Sequence, residues 1–516
     1  MIDNKKKYFT MIESLHGNDH LMKAFIGADI GTTGIRASVY NERFKAIGSG
    51  SGESILHRGP GGAITQDPEE MYRETAKAVR DAVASAGVEP AEIAGISFDG
   101  QMAGVLGIDE HWNAVTPYDS WLDTRCAPQV AAVRDRAREA IIRKTGIIPS
   151  YNHGPKILWW RDNHPELFAR VASFVQPAAY VAGRLCGLEA RDAFLDWTYL
   201  HFSGFSDTAS MAWDEELLSR FEVPRDKLPR IVSPYTVVGE VRPDQAEAFG
   251  VPTGTPVAAG CGDATSCLFG AGAVEVGIAV DIAGTAAVLA LAIDRFAPDP
   301  SGLVYSSMSV EKGVWYSMSY INGGGMNLEW FKEVFAPQRS FDDLNREIEK
   351  LRPGSDGLIF VPHLEGRGYP NVPHMRGHWK GFTRNHTLAH FYRSVLEGTA
   401  YEYALYKQSI LSRRKGSLEL VVRGVGGGAK SPAWNQIKAD VLGCDYCTID
   451  REDIALLGQA LLAARATGDV RDLRAKVREL VHVDRVFHPT AANVRLYQEK
   501  IAEYSRLLYH ESTGDS

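Results

Sequence analysis

The sequence predicts an α/β protein built from two large units, and three observations predict it. Apolar, strand-like runs alternate with segments of helical periodicity along most of the chain, which is the pattern of sheets covered by helices. A length of 516 residues exceeds what one hydrophobic core supports and allows roughly two to four domains at about 150 residues each. A strand ending in Asp-Ile and followed by a Gly/Thr turn occurs twice, at Asp29 and at Asp281, about half the chain apart.

Residues 1–22 are polar and unpatterned and read as an N-terminal extension. From Lys23 the text AFIGADIGTTGIRASVY runs apolar strand, Gly/Thr turn, then Ile35, Ala37 and Val39 alternating with Arg36, Ser38 and Tyr40. An apolar strand before a tight turn and period two after it make a β-hairpin, not a strand feeding a helix. Helical periodicity covers 69–86, opened by Asp67-Pro68 as N-cap and first helical residue. IAGISF at 93–98 reads as a buried strand, and helices fit 127–144, 165–173 and 214–221. The proline-rich stretch 222–256 reads as a connection, giving a first unit at 23–255, a second at 256–490 and a C-terminal helix and tail at 491–516.

The second unit opens with the strand PVAAG and then GCGDATSCLFGAGA, which sets Asp263 at the turn before a small-residue helix. VGIAVDIAGTAAVLALAID at 276–294 repeats the first hairpin. GVGGGAKS at 424–431 follows a strand and precedes a helix, with Ser431 as N-cap, Pro432 as first residue and Trp434, Ile437, Val441 and Leu442 on one apolar stripe. It approaches the Walker A pattern, but Ala429 stands where a glycine must let the backbone wrap a phosphate, which weighs against a P-loop.

Fifty-six basic against 64 acidic residues give a net charge of −8, which weighs against nucleic acid as the main partner. Apolar runs stay short of about 18 residues and the N-terminus carries no apolar signal segment, so no membrane or export route is expected. Six cysteines are too sparse for a secreted scaffold, and a cytoplasmic setting is expected. Cys444 and Cys447 form a C-x-x-C with no second pair at zinc spacing and read as two ordinary thiols.

The Gly/Thr turns carry the chemistry. Consecutive backbone N–H groups and a hydroxyl make an anion nest without a basic side chain, and two such turns facing each other could clamp a polyphosphate. Asp29 would then lie beside phosphates, where a carboxylate is repulsive unless Mg²⁺ sits between. The competing reading is two tight hairpins with Asp29 and Asp281 as turn acceptors. Asp263 reads either as a helix cap or as a general base for phosphoryl transfer, with the helix N-terminus expected to hold its pKa down.

ADIGTTGIRASVY, GISFDGQMAGVLGID (95–109), WLDTR (121–125), KILWW (156–160), Trp213-Asp214, GCGD (260–263), NGGGMNLEWF (322–331), RGHWKGFT with RSVLEG (376–398) and GGGAKSPAWNQIKADVLG (426–443) together resemble the FGGY family of carbohydrate kinases. The resemblance runs from about residue 24 to 490. It implies two actin-like (ribonuclease H-like) domains with mixed sheets flanked by helices, a catalytic cleft between them, and transfer of the γ-phosphoryl group of Mg·ATP to a sugar or polyol hydroxyl. By position it implies Asp263 as general base, touching both substrate and metal, Asp29 as the other metal residue, and Thr32 and Thr33 near the transferring phosphate. Gly284 and Thr285 would meet the phosphates from the second domain, while Gly325, Glu329, Gly427 and Ser431 would line the adenosine pocket. Gln101, Met102, Asp123 and Arg125 would grip the sugar.

Xylulokinase-like members are nearest in wording, so a D-xylulose-like pentulose is the first expected acceptor and a homodimer the expected assembly. They usually read Q-M-H-G, however, where this chain has Gln101-Met102-Ala103-Gly104, and D-P before A-R-G, where it has Pro373-His374 before Met375-Arg376-Gly377. A lost imidazole changes the hydroxyl pattern a site reads, and His153 is a candidate replacement. Ribulose, a tetrose or tetritol, glycerol or an aldonate are the alternative acceptors, and an actin-like ATP switch without a sugar substrate is the alternative class.

Overall fold

The computed structural model describes residues 23–414 and 416–513; the expected N-terminal extension lies outside the described residues. Strand β1 (Ala24–Ile30), buried at every residue, turns at Gly31–Gly34 into β2 (Ile35–Tyr40), which pairs antiparallel with β3 (Ala46–Gly52). Helix α1 (Pro68–Ala86) starts where Asp67 accepts the N–H groups of Glu69 and Glu70 and stops at Gly87, whose φ is +64°. It lies against β2 and β3, and Gly48, Gly50 and Gly52 admit it because a Cβ there would strike its backbone. Strand β4 (Ile93–Gly100) adds parallel to β1.

Helices α2 (Ala127–Thr145) and α3 (His153–Asn163) stand on the wall of the first unit. The helix expected at 165–173 stops at Arg170, because Val171 turns extended and the buried run Ser173–Val175 pairs with Leu106–Ile108. After α4 (Pro177–Cys186), strands β5 (Val237–Glu240) and β6 (Pro256–Gly262) complete a six-stranded sheet in the order β5-β6-β4-β1-β2-β3. The proline-rich stretch is therefore part of the first unit: β6, past residue 255, is hydrogen-bonded into its sheet. Helix α5 (Asp263–Gly270) leaves directly from β6.

The second sheet repeats this plan. Strands β7 (Ile278–Ala283), β8 (Ala287–Ile293), β9 (Tyr305–Met308) and β10 (Trp315–Ile321) are followed by α6 (Gly325–Phe335) and α7 (Leu388–Ser412). Then come β11 (Val421–Val425), α8 (Pro432–Leu442), β12 (Asp445–Ile449), α9 (Ile454–Ala466), β13 (Val483–Phe487) and α10 (Ala491–Thr513). The order is β9-β10-β8-β7-β11-β12-β13. In both sheets an antiparallel hairpin (β1/β2, β7/β8) has a third antiparallel strand outside it and two parallel strands on its other side (β4 and β6, β11 and β12). The two Asp-Ile hairpins thus occupy the same topological place.

Helix α9 crosses from the second half onto the first sheet. Gly27 of β1 allows this, since a Cβ there would run into the Leu456 carbonyl. Gln459 of α9 accepts from Ser97 of β4 (2.6 Å) and donates to Ser266 of α5 (2.9 Å). The helix that carries Asp263 is thereby tied to the strand beside β1. Cys444 and Cys447 are both unbridged.

Candidate active site

A cavity of about 510 Å³ lies between the two hairpin turns, touching Thr32 of the first, Ala286 beside the second, and Asp263 at the start of α5. The first turn closes by Gly31 N–H to the Gly34 carbonyl (3.2 Å). A chain of polar groups holds it from both sides. Trp121 Nε1 donates to Thr32 Oγ1 (2.9 Å), Gln101 Nε2 to Gln66 Oε1 (2.6 Å), Gln66 Nε2 to Ser54 Oγ (2.6 Å), and Ser54 Oγ back to the Gly31 carbonyl (2.8 Å). Thr32 Oγ1 closes the ring on Gln101 Oε1 at 3.4 Å. Thr33, beside it, is exposed.

Asp263 owes its place to the end of β6. Gly262 N–H donates to Thr198 Oγ1 (3.0 Å), and a side chain at Gly262 would collide with Met102. Asp263 Oδ1 accepts from Ala264 N–H (2.6 Å). The sequence expectation of a lowered pKa is reversed: burial first, and the Asp29 carboxylate second, push Asp263 up to about 7, and one backbone N–H offsets only part of that. Asp29, at the end of β1, is 6% exposed and accepts from Arg36 Nη2 at 2.7 Å. The donor set suits Mg²⁺. It offers the Asp29 and Asp263 carboxylates, near enough for the charge of one to raise the pKa of the other, and Mg²⁺ takes only one or two carboxylates from a protein while keeping several waters.

The second turn is stitched to α6, with Gly325 N–H on the Gly284 carbonyl (2.8 Å) and Met326 N–H on that of Thr285 (3.2 Å). Gly426 presses on Ala283, and Gly427 next to it faces open space. Gly325 is packed on Gly284, where a Cβ would strike the Gly284 carbonyl, and Gly427 alone of the three faces open space, while Thr285 and, one turn along α6, Glu329 are exposed. The Ser431 hydroxyl caps α8 by accepting from Trp434 N–H (3.3 Å). A further cavity of about 480 Å³ opens at the ends of β11 and β12, lined by Gly427, Lys430, Asn435, Arg451 and Glu452 among others. Lys430 is 71% exposed and paired with Glu452 at 2.8 Å, a solvated rim pair. Lys430→Ala should change the KM for ATP less than about threefold, as steady-state kinetics would show; a thousandfold loss would restore a P-loop reading.

Of the expected sugar residues, Met102 lines the central cavity. Gln101, Asp123 and Arg125 stand behind its wall. Asp123 accepts from Ile64 N–H (2.9 Å) and from Arg125 Nε (2.9 Å), and Arg125 also bonds Asp119 and lies 4.2 Å over the Trp159 ring. This cluster braces the loop that presents Trp121, Leu122 and Thr124 to the cavity. His153 is buried outside the lining, where desolvation and Lys156 hold its pKa well below the usual imidazole value. The residues that do line the cavity include Trp121, Tyr151, Phe202, Tyr305, Tyr320 and Tyr369, none of which was singled out from sequence. Trp121 had a signal, being the first residue of WLDTR; the tyrosines come from segments far apart in the chain.

Two sheets of one topology, each centred on a Gly/Thr-turn hairpin, with a carboxylate between the turns, define the actin-like class of phosphate-handling folds. The chain belongs to the FGGY family of carbohydrate kinases: the model of its N-terminal domain matches residues 24–270 and that of its C-terminal domain 282–467. It is 28% identical over 495 residues to the xylulose kinase of Bacillus subtilis (strain 168), covering 95% of this chain and 97% of that one. It is 26% identical over 463 residues to the gluconokinase of Bacillus licheniformis, covering 86% and 88%. Among solved structures, the ligand-bound xylulose kinase from Lactobacillus acidophilus superposes with a TM-score of 0.88 at 23% identity, over 96% of this chain and 99% of that one. The protein is a sugar kinase, and no helix among the described residues is long and apolar enough to cross a membrane.

Proposed function

We propose that this kinase transfers the γ-phosphoryl group of Mg·ATP to a hydroxyl of a ketose or polyol, with a D-xylulose-like pentulose as first acceptor. The observation that carries the reading is the position of Asp263, on the wall of the acceptor cavity that also holds Thr32 of the first phosphate turn. Asp263 takes the acceptor hydroxyl proton as the new O–P bond forms, and the bond from the γ-phosphorus to the β–γ bridging oxygen breaks, releasing ADP. Asp29 and Asp263 would hold Mg²⁺, which when bound neutralises charge on the phosphates. The remaining backbone N–H groups of the two Gly/Thr turns orient the phosphates, and Gly427 leaves room for the adenosine. Positioning of this kind supplies up to about 7–11 kcal/mol of a barrier. The test is a coupled ADP-release screen over pentuloses, tetritols, glycerol, hexuloses and aldonates, with product regiochemistry by phosphorus NMR. D-xylulose should head the ranking; an aldonate or glycerol ahead of it by tenfold in kcat/KM would replace that acceptor.

A second acceptor class is favoured by Ala103, which faces the cavity with φ +60° where relatives of the xylulokinase type carry an imidazole. Histidine is among the side chains that tolerate this backbone region, so Ala103→His should fold. It should change the D-xylulose to glycerol preference by about 2- to 10-fold, the range of one added hydrogen bond, in the same coupled assay.

A further inference from the structure

His201 lines the acceptor cavity and is 2% exposed. Among the described residues it is the one lining residue with a buried side-chain polar atom, Nδ1, that has no hydrogen-bond partner. Its ring stacks on Tyr305, centres 5.6 Å apart, and packs against Phe202 at 4.0 Å. Desolvation holds the imidazole down to about 3 and the Thr198 carbonyl offsets only part of that, so the ring is neutral at neutral pH. A neutral imidazole has one N–H and one lone pair. A carbonyl can serve only the N–H, so the lone pair has no donor from the protein. A buried acceptor left so is costly, and a ligand hydroxyl that reaches it removes the cost.

The segment holds this ring in a fixed relation to Asp263. His201 belongs to a short 3-10 helix, Trp197–Phe202, capped where Asp196 accepts the Thr198 N–H (2.9 Å). Thr198 Oγ1 in turn accepts the N–H of Gly262, the residue before Asp263 (3.0 Å). The Tyr199 hydroxyl donates to the Gly100 carbonyl at the end of β4 (2.8 Å), and Trp197 Nε1 to the Ser309 carbonyl of the second unit (2.9 Å). One turn therefore sets the carboxylate and the imidazole together, as pre-organised reading of an acceptor requires. The loop after β4, by contrast, gives the cavity only Met102 and Ala103, neither of which carries a donor or a strong acceptor.

We propose that His201 is a specificity-determining residue that accepts a hydrogen bond from a second hydroxyl of the acceptor, one that Asp263 does not deprotonate. A carboxylate at that point brings no proton and meets a lone pair, so the residue selects neutral polyols and ketoses over aldonates. This role presupposes that the cavity is the acceptor site of the kinase.

The test measures acceptor affinity by calorimetry on the full chain without nucleotide, and ADP release separately, with D-xylulose, its 1-, 3- and 4-deoxy analogues and D-gluconate. His201→Phe keeps a ring beside Tyr305 and removes both nitrogens. It should unfold no earlier than the parent, because an unmatched buried acceptor is gone, and should bind D-xylulose about 5- to 100-fold more weakly, the effect of leaving one buried hydroxyl unpaired. Affinity for metal-free ADP should stay within twofold. His201→Asn keeps an acceptor oxygen without the ring and should recover part of the loss, whereas a role in packing alone would make it the worse variant. One deoxy analogue should bind the parent as weakly as D-xylulose binds the Phe variant, and lose less than a further twofold in that variant. D-gluconate should bind the parent more weakly than D-xylulose, by a margin that shrinks in His201→Phe. D-xylulose affinity within twofold of the parent in both variants, an Asn variant weaker than the Phe variant, or no deoxy analogue weakened fivefold in the parent overturns the role. The last of these needs no variant to fold. Such a result with normal ADP release would leave the kinase reading intact; the expected affinity losses with no acceptor-dependent ADP release would fault that reading alone.

Discussion

Asp263→Asn should lower acceptor-dependent ADP formation by about 10²–10⁴-fold, the span that one positioned proton acceptor contributes, while the affinity for metal-free ADP measured by calorimetry stays within a few-fold. The amide matches the carboxylate in size and keeps an oxygen for the Ala264 N–H, so α5 should begin as before and Met102 should remain packed on Gly262. What disappears is the capacity to take a proton. The parent protein carries an independent mark of that role. Burial and the neighbouring Asp29 place the Asp263 carboxyl at about 7, and only its ionised form can accept a proton. In the parent, kcat/KM should therefore fall about tenfold per pH unit below 7 and level off above it, since this ratio reports the free enzyme. The residual activity of the Asn variant should lack that acid limb. Near-normal turnover in the variant, or the same acid limb with the carboxyl gone, would remove Asp263 from the mechanism.

How far the sequence disclosed this site follows from which interactions are local. The two hairpins were legible because a period of two and a Gly/Thr turn are written within about 17 residues, and the caps at Asp67 and Ser431 because a cap needs only three residues. Asp281 shows the limit of that reading. Its segment matches that of Asp29, yet the carboxylate is fully buried, bonded to Lys438 at 2.5 Å and to the hydroxyls of Tyr403 and Tyr446, partners more than 120 residues away. One hairpin keeps its acid for the cleft, and the other uses it to fasten the core beneath α8. The return of α9 to the first sheet was equally hidden. Its sole local trace is Gly27, a glycine inside a strand where another backbone approaches. The aromatic lining of the cavity is assembled from both halves of the chain, and nothing in any one segment distinguishes a tyrosine that faces the cleft from one that fills the core.

Glu402→Ala should cost about 3–5 kcal/mol of stability, the range for removing one member of a buried ion pair and stranding the other, and should raise the acceptor KM more than the ATP KM. Glu402 lies on α7 with no exposed surface. Its carboxylate bonds His363 Nε2 (3.0 Å), Arg367 Nη2 (2.8 Å) and the Tyr504 hydroxyl of α10 (2.7 Å). Burial by itself would raise its pKa, but Arg367 and His363 more than reverse this and leave it far below the ordinary carboxylate range. A depressed carboxyl contributes stability that is complete above the unfolded carboxyl value and is lost only as pH falls toward the folded one, so the ionisation of Glu402 itself should cost the network nothing above about pH 5. Arg367 and Val372 pair through their backbones to close a small loop, and that loop presents Gly368, Tyr369 and Asn371 to the acceptor cavity. Tyr369 packs edge-on against Tyr305, ring centres 5.1 Å apart, and its hydroxyl accepts the N–H of Ile148 across the cleft (3.5 Å). Without Glu402 the loop loses its buried tether, so the damage reaches the acceptor wall before it reaches the Gly284–Gly325–Gly427 cradle. Glu402→Gln is the sharper variant. It keeps the shape, but its amide group would turn a donor toward sites already filled by donors from Arg367, His363 and Tyr504, so it should recover little. Denaturant unfolding of the Ala and Gln variants, with KM for acceptor and ATP measured separately, checks both halves of the expectation; a Gln variant within about 1 kcal/mol of the parent and with an unchanged acceptor KM would show that the carboxylate does not hold the wall.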